Sequence, residues 1–169
     1  MNLPKLKIRL YGDPCLRKKS KPVEEVGIVE RMLIKAMIKT MHDQKGIGLA
    51  APQVGINQRI LVADIGEGPI AIINPVIRKK SGSAVLEEGC LSIPEVNINV
   101  TRALSVTVRY IDFDNNLVEQ TFENLLARVI LHEADHLDGK LIVDYATDAE
   151  LDKYNPILEK IEQLQKGPQ

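Results

Sequence analysis

Tryptophan is absent from the 169 residues, and aromatic residues together make up only 4%. A chain this poor in rings has little with which to stack single-stranded bases, so that binding mode is excluded. No charge sign dominates either. The 22 Lys and Arg stand against 23 Asp and Glu, a net −1, so no general field draws in polyanions or a membrane surface. No apolar run is long enough to span a bilayer. The opening MNLPKLKIRL has neither the apolar block of a secretion signal nor the Ser/Arg-rich, acid-free makeup of a transit peptide. The default expectation is cytoplasmic, with neither DNA nor membrane as partner. Cysteine is scarce too: a reducing cytosol disfavours a bridge between the distant Cys15 and Cys90. Cys15, in GDPC, reads as a spectator thiol. The basic cluster Arg17-Lys18-Lys19 with Lys21, flanked by Pro14 and Pro22, reads as a solvated loop.

What is present is ordinary globular material, 44% hydrophobic and 27% charged, enough for one domain over residues 1–169 with one sizeable core. Residues 24–43 place Val26, Val29, Met32, Leu33, Ala36, Met37, Thr40 and Met41 at spacings of three and four, which predicts an amphipathic helix stopped near Gly46. Strands are predicted at 60–65 and 70–77, joined by Gly66-Glu67-Gly68-Pro69. Further strands are predicted at 104–111 and 117–122, joined by Asp114-Asn115-Asn116. A second helix spans about 123–137. A C-terminal helix, about 148–166, opens on the capping box Thr147-x-x-Glu150, and Asn155-Pro156 is expected to break or restart it. This order predicts an α+β domain.

The strongest chemical signal is His132-Glu133-Ala134-Asp135-His136 inside the second helix. Residues four apart differ by about 40° in direction and about 6 Å in height, so two imidazoles can converge on one ion. Glu133 points to a neighbouring direction, where it can reach water held by that ion. Both His lie on the apolar stripe, where unpaired imidazoles would be costly. A catalytic site of this kind needs a third protein ligand. Glu150, Glu159 and Glu162 are candidates downstream; Cys90, within Glu87-Glu88-Gly89-Cys90-Leu91-Ser92, is the candidate upstream. A thiolate with two imidazoles suits Zn2+ or Fe2+.

Three segments together resemble the peptide deformylase family. Gly46-Ile47-Gly48-Leu49-Ala50-Ala51-Pro52-Gln53 is similar to its GxGLAAxQ motif, Glu88-Gly89-Cys90-Leu91-Ser92 to EGCLS, and His132-Glu133-Ala134-Asp135-His136-Leu137 to HExDHL. Their order and approximate spacing are the family's, and the likeness extends to Ile73-Asn74-Pro75 and both terminal helices. The resemblance implies antiparallel β-sheets packed around a central metal-binding helix, with an N-terminal and a C-terminal helix. It implies Cys90, His132 and His136 as ligands of one divalent metal ion: Fe2+ in cells, with Zn2+, Ni2+ or Co2+ acceptable in isolated protein. It further implies Glu133 as general base and then acid, and the Gln53 amide with the Leu91 backbone N–H as oxyanion donors. Ile47, Gly48 and Gly89 would hold the substrate backbone as an added strand, and Ile47, Leu91 and Val129 would form a methionine pocket. The implied substrates are N-formylmethionyl nascent peptides.

The residue types suit that chemistry. A divalent metal lowers the pKa of the water it holds toward about 7, which supplies hydroxide in place to attack the formyl carbonyl. Glu133 would take the proton and return one to the leaving amine. Asp135 and Arg102 are expected to pair and hold the metal helix against the strand that follows EGCLS. A metalloendopeptidase with a downstream ligand, and a metal-binding module without turnover, are the rival functions. Residues 148–169 carry five acids (Asp148, Glu150, Asp152, Glu159, Glu162) and three bases (Lys153, Lys160, Lys166), so weak ribosome association at most is expected of that helix.

Overall fold

A computed structural model describes residues 2–167. Among these residues three α-helices, α1 (Ile28–Asp43), α2 (Asn124–Leu137) and α3 (Asp148–Lys166), accompany seven strands. Strands β1 (Gly48–Ala50), β2 (Ile60–Ala63), β3 (Ile70–Ser81), β6 (Ser105–Ile111) and β7 (Leu117–Glu123) form one sheet in the order β1-β2-β3-β6-β7, and β4 (Ala84–Cys90) pairs with β5 (Ile93–Arg102) in a second. Every ladder between these strands is antiparallel. This is the α+β arrangement expected.

Helix α2 lies between the layers because its faces differ. Ala127, Ile130 and Leu137 are fully buried against Leu61, Ile72, Val106 and Val108 of the larger sheet. Its other face carries Val129, His132 and Glu133 toward a cavity. On the far side, α3 lays Leu158 and Ile161 against Val96, Ile98 and Val100 of β5, and α1 packs Ile34, Met37 and Met41 under β1 and β2.

Several details depart from the sequence reading, which also predicted no strand at Gly48–Ala50 or Ala84–Cys90. Helix α1 starts at Ile28, where the Gly27 N–H donates to Glu30 Oε2 at 2.9 Å; Val26 is buried ahead of it, while Val29 faces solvent at 74% exposure. The helix ends close to Gly46, as expected, and Lys45, at φ 58°, makes its left-handed exit. Strand β3 runs past Ile77 to Ser81 because β6 pairs with it that far. Helix α3 is neither broken nor restarted at Pro156. Proline removes one N–H and leaves the Asp152 carbonyl without its helical partner. Both residues are exposed, so water can serve that carbonyl while the face on β5 keeps the helix whole.

Candidate metal centre

Two elements deliver the candidate ligands. Helical spacing stacks His132 and His136 with ring centroids 5.1 Å apart. Cys90 ends β4, where the register against β5 shifts between Glu88 and Cys90. A bulge of this kind re-aims side chains; Glu88 is buried toward α2, and Cys90 follows at the rim of the same site. One ligand atom from each of Cys90, His132 and His136 falls within 4.8 Å of the others. Cys90 Sγ is 3.4 Å from His136 Nε2. A sulfur and a nitrogen bound tetrahedrally to one zinc-sized ion lie roughly 3.6 Å apart, so the donor set fits. The electrostatics agree. Burial disfavours a charged His132 ring, yet Glu133, Cys90 and Glu88 raise its pKa well above the ordinary imidazole value. The site therefore favours a cation. Burial, helped by His132, holds His136 well below the usual range, in the neutral form that ligates. Glu150, the first downstream candidate, is instead occupied as the cap of α3, accepting from the Thr147 and Asn99 N–H groups at 3.1 and 3.2 Å.

Glu133 faces the same space. It is 3% exposed, its Oε1 has no hydrogen-bond partner among the described residues, and that oxygen is 3.9 Å from His136 Nε2. Burial pushes its carboxyl up to about 7, with His132 pulling the other way. An acceptor of that strength is matched to proton traffic near neutral pH.

Gln53 lies in the 3-10 turn Ala51–Val54 after β1 and is 1% exposed. Its Oε1 accepts from the Ala50 N–H at 2.9 Å, which turns Nε2 toward Ser92 Oγ at 3.2 Å and Cys90 Sγ at 3.5 Å. The donor is thus pre-aimed at the ligand cluster. Gly48 approaches Glu133 so closely that a Cβ there would sit 2.7 Å from its Oε2 and 2.7 Å from Val129 Cγ1. A cavity of 480 Å3 opens beside these groups, and Ile47, Gly48, Gln53, Gly89, Cys90, Leu91, Val129, His132 and Glu133 all line it. The structure therefore places the site residues that the family resemblance implies around one cavity, with His136 behind its wall, whereas the downstream candidates Glu150, Glu159 and Glu162 do not line it.

A buried ion-pair network backs the site. Arg102 Nη1 donates to Asp135 Oδ2 at 2.6 Å, the pairing expected. Tyr145 Oη donates to the same oxygen at 2.6 Å, and its ring lies 5.0 Å from the Arg102 guanidinium. At the centre is Glu88, which accepts from Arg102, Arg128 and His132 Nδ1. Burial works against the Glu88 anion, but the His132 and Arg102 hydrogen bonds prevail and lower its pKa to about 2. Sequence reasoning gave Glu88, Arg128 and Tyr145 no role. For Arg128 a signal existed: one Arg inside the apolar run Leu125 to Leu131 must find a buried anion.

Comparison with known proteins gives a consistent answer. The family model described as polypeptide deformylase matches residues 5–152. A peptide deformylase of Thermotoga neapolitana is 48% identical over 139 residues, 82% of this chain and 85% of that protein. Peptide deformylase 1 of Clostridium acetobutylicum is 48% identical over 143 residues, 85% and 95% of the two chains. The crystal structure of a peptide deformylase from Legionella pneumophila superposes with a TM-score of 0.89 at 40% identity, covering 98% of this chain and 100% of that one.

Proposed function

The chain belongs to the polypeptide deformylase family, and from that premise we propose that Cys90, His132 and His136 hold one divalent ion beside which Glu133 moves the protons of formamide hydrolysis. The activity is removal of the N-formyl group from new polypeptides, with release of formate, and residues 1–169 are read as one catalytic domain. The convergence of one sulfur and two ring nitrogens within 4.8 Å, next to an unpartnered carboxylate oxygen, carries this reading. When bound, the ion supplies Lewis acidity that makes water a nucleophile near neutral pH; Fe2+ in cells is the family's choice, with Zn2+, Ni2+ or Co2+ workable in isolation.

The chain's own residues supply the rest. Glu133 Oε1 accepts the proton that water gives up, and the acid so formed donates one to the departing amine nitrogen, which is a poor leaving group without it. Gln53 Nε2 and the Leu91 backbone N–H donate to the oxygen that gains charge. Substrate is held as a strand: among the described residues β1 is the edge of its sheet and β4 pairs with β5 alone, and Gly48 and Gly89 on these strands, with Ile47 just before β1, line the cavity. Main-chain bonds to them serve any sequence, while Ile47, Leu91 and Val129 surround the methionine side chain.

A formyl-Met-Ala-Ser assay tests the activity: formate release without internal peptide cleavage supports it, and cleavage between residues would favour an endopeptidase. Gln53→Ala is expected to keep the ion and the fold while losing roughly 10²–10³ in turnover. Near-wild-type turnover would remove Gln53 from the oxyanion site. Among the described residues no helix is long and apolar enough to cross a membrane, and the substrate is made in the cytoplasm, where we place the protein; fractionation with membranes would contradict this. Ribosome contact through α3 is weak, since its acids outnumber its bases. Tight, salt-sensitive cosedimentation lost on trimming α3 would overturn that.

A further inference from the structure

Arg128 lies one turn before His132 on α2, is 7% exposed, and spends its hydrogen bonds on Glu88 and two backbone carbonyls. Its contacts nonetheless join both halves of the ligand set. Nη1 donates to Glu88 Oε2 at 2.6 Å and to the Val100 carbonyl of β5 at 2.9 Å; Nη2 donates to the Ala84 carbonyl of β4 at 2.8 Å. Glu88 is two residues before Cys90 on β4 and accepts from His132 Nδ1 at 2.8 Å through Oε1. Arg102 adds Nε to Oε2 and Nη2 to Oε1, both at 3.0 Å. An ionised carboxylate offers about four acceptor positions. Here four donors take them: three arginine nitrogens and the one His132 nitrogen.

Resting on the metal site proposed above, we infer that Arg128 is a positioning residue. It fixes the Glu88 carboxylate, and with it the ring of His132 and the strand that carries Cys90. Arg102, anchored on Asp135, grips Glu88 in a fork from β5. Arg128 grips it from α2 and is itself held by two backbone carbonyls, so strand and helix cannot shift relative to each other without breaking its bonds. Loss of Arg128 would leave one Glu88 acceptor open in a buried wall of the cavity, which Arg128 also lines. Glu88 would then be held by the Arg102 fork and His132 alone, and the tie from α2 to the β4 and β5 carbonyls that keeps it against His132 Nδ1 would be lost. No substitute exists on the other imidazole, because His136 Nδ1 is buried without a hydrogen-bond partner among the described residues. Of the two imidazoles, His132 alone is therefore oriented by an outer hydrogen bond among the described residues.

The test uses full-length Arg128→Met, Arg128→Lys, Glu88→Gln and the Arg128→Met/Glu88→Gln pair, each loaded with Co2+ and titrated against a chelator, with melting followed in parallel. Removing an outer partner of a ligand typically weakens metal binding by roughly 10–100-fold. Arg128→Met is expected to fall in that range, Arg128→Lys to recover most of the loss, and the double variant to show little beyond Glu88→Gln, as coupled residues do. Unchanged Co2+ affinity in a folded Arg128→Met with a lowered melting point would make Arg128 a structural clamp only. Equal losses in both Glu88 backgrounds would also overturn the inference. If Arg128→Met does not fold, wild-type affinity or a loss as large as that of Glu88→Gln in Arg128→Lys decides against it, and partial retention supports it. Failure of the wild type to bind Co2+ through Cys90 would instead sink the metal site itself.

Discussion

Glu133→Gln is expected to leave the fold and the bound ion intact while cutting turnover by about 10²–10⁴, the span that one positioned acid–base group supplies. The amide has the size of the carboxyl, so the buried wall near Gly48 and Val129 is not disturbed, and Gln cannot take up a proton at either position. The expected loss is toward the upper end, because the same group serves twice: as acceptor from water and as donor to the amine. Its setting fits both tasks, since burial has already raised its pKa to about 7 and no partner competes for Oε1 among the described residues. Turnover of formyl-Met-Ala-Ser together with metal content checks this. A Gln variant with stoichiometric metal and turnover within tenfold of wild type would assign the proton transfers elsewhere.

Cys90→Ala is expected to abolish stoichiometric metal retention and, with it, deformylation. The loss should exceed the roughly 10–100-fold typical of an outer partner, because one of three direct donors is gone and it is the anionic one. Misfolding would not explain such a result. Cys90 is only partly buried at the border of its cluster, and β4 remains paired with β5 through five residue pairs from Ala84 to Glu88. Metal analysis after dialysis against a weak chelator, with circular dichroism as the folding control, measures it. A folded variant that retains one ion per chain would return the third-ligand role to another side chain.

The separation between what was legible in the sequence and what was not has physical causes. Helix α2 and its two imidazoles were readable because a 3.6-residue period puts i and i+4 on one face whatever surrounds them. Cys90 was one of several third-ligand candidates until motif resemblance singled it out, and Gln53 and the glycines proposed to hold substrate came from that resemblance alone, since no local rule states that residues 53, 90 and 132 meet. The helix start failed at Val26 and Val29: an apolar period does not distinguish a residue buried in the approach to a helix from one within it, and the Glu30–Gly27 cap decides. Pro156 misled because propensity was weighed without the packing of α3 on β5. The Glu88 network was hidden for a different reason. Four donors from α2 and β5 converge on one carboxylate of β4, and such non-local pairing leaves only a hint in sequence, a charged residue stranded among apolar ones at Arg128.

If a thiolate and two imidazoles share one cation, metal-edge X-ray absorption of the zinc-loaded wild-type protein reads all three donors at once. The spectrum should show one sulfur near 2.3 Å and two nitrogen scatterers near 2.0–2.1 Å, with the sulfur shell absent from any zinc left in the Cys90→Ala variant. A first shell of nitrogen and oxygen alone in the wild type, with Cys90 reduced and unmodified, would contradict the account.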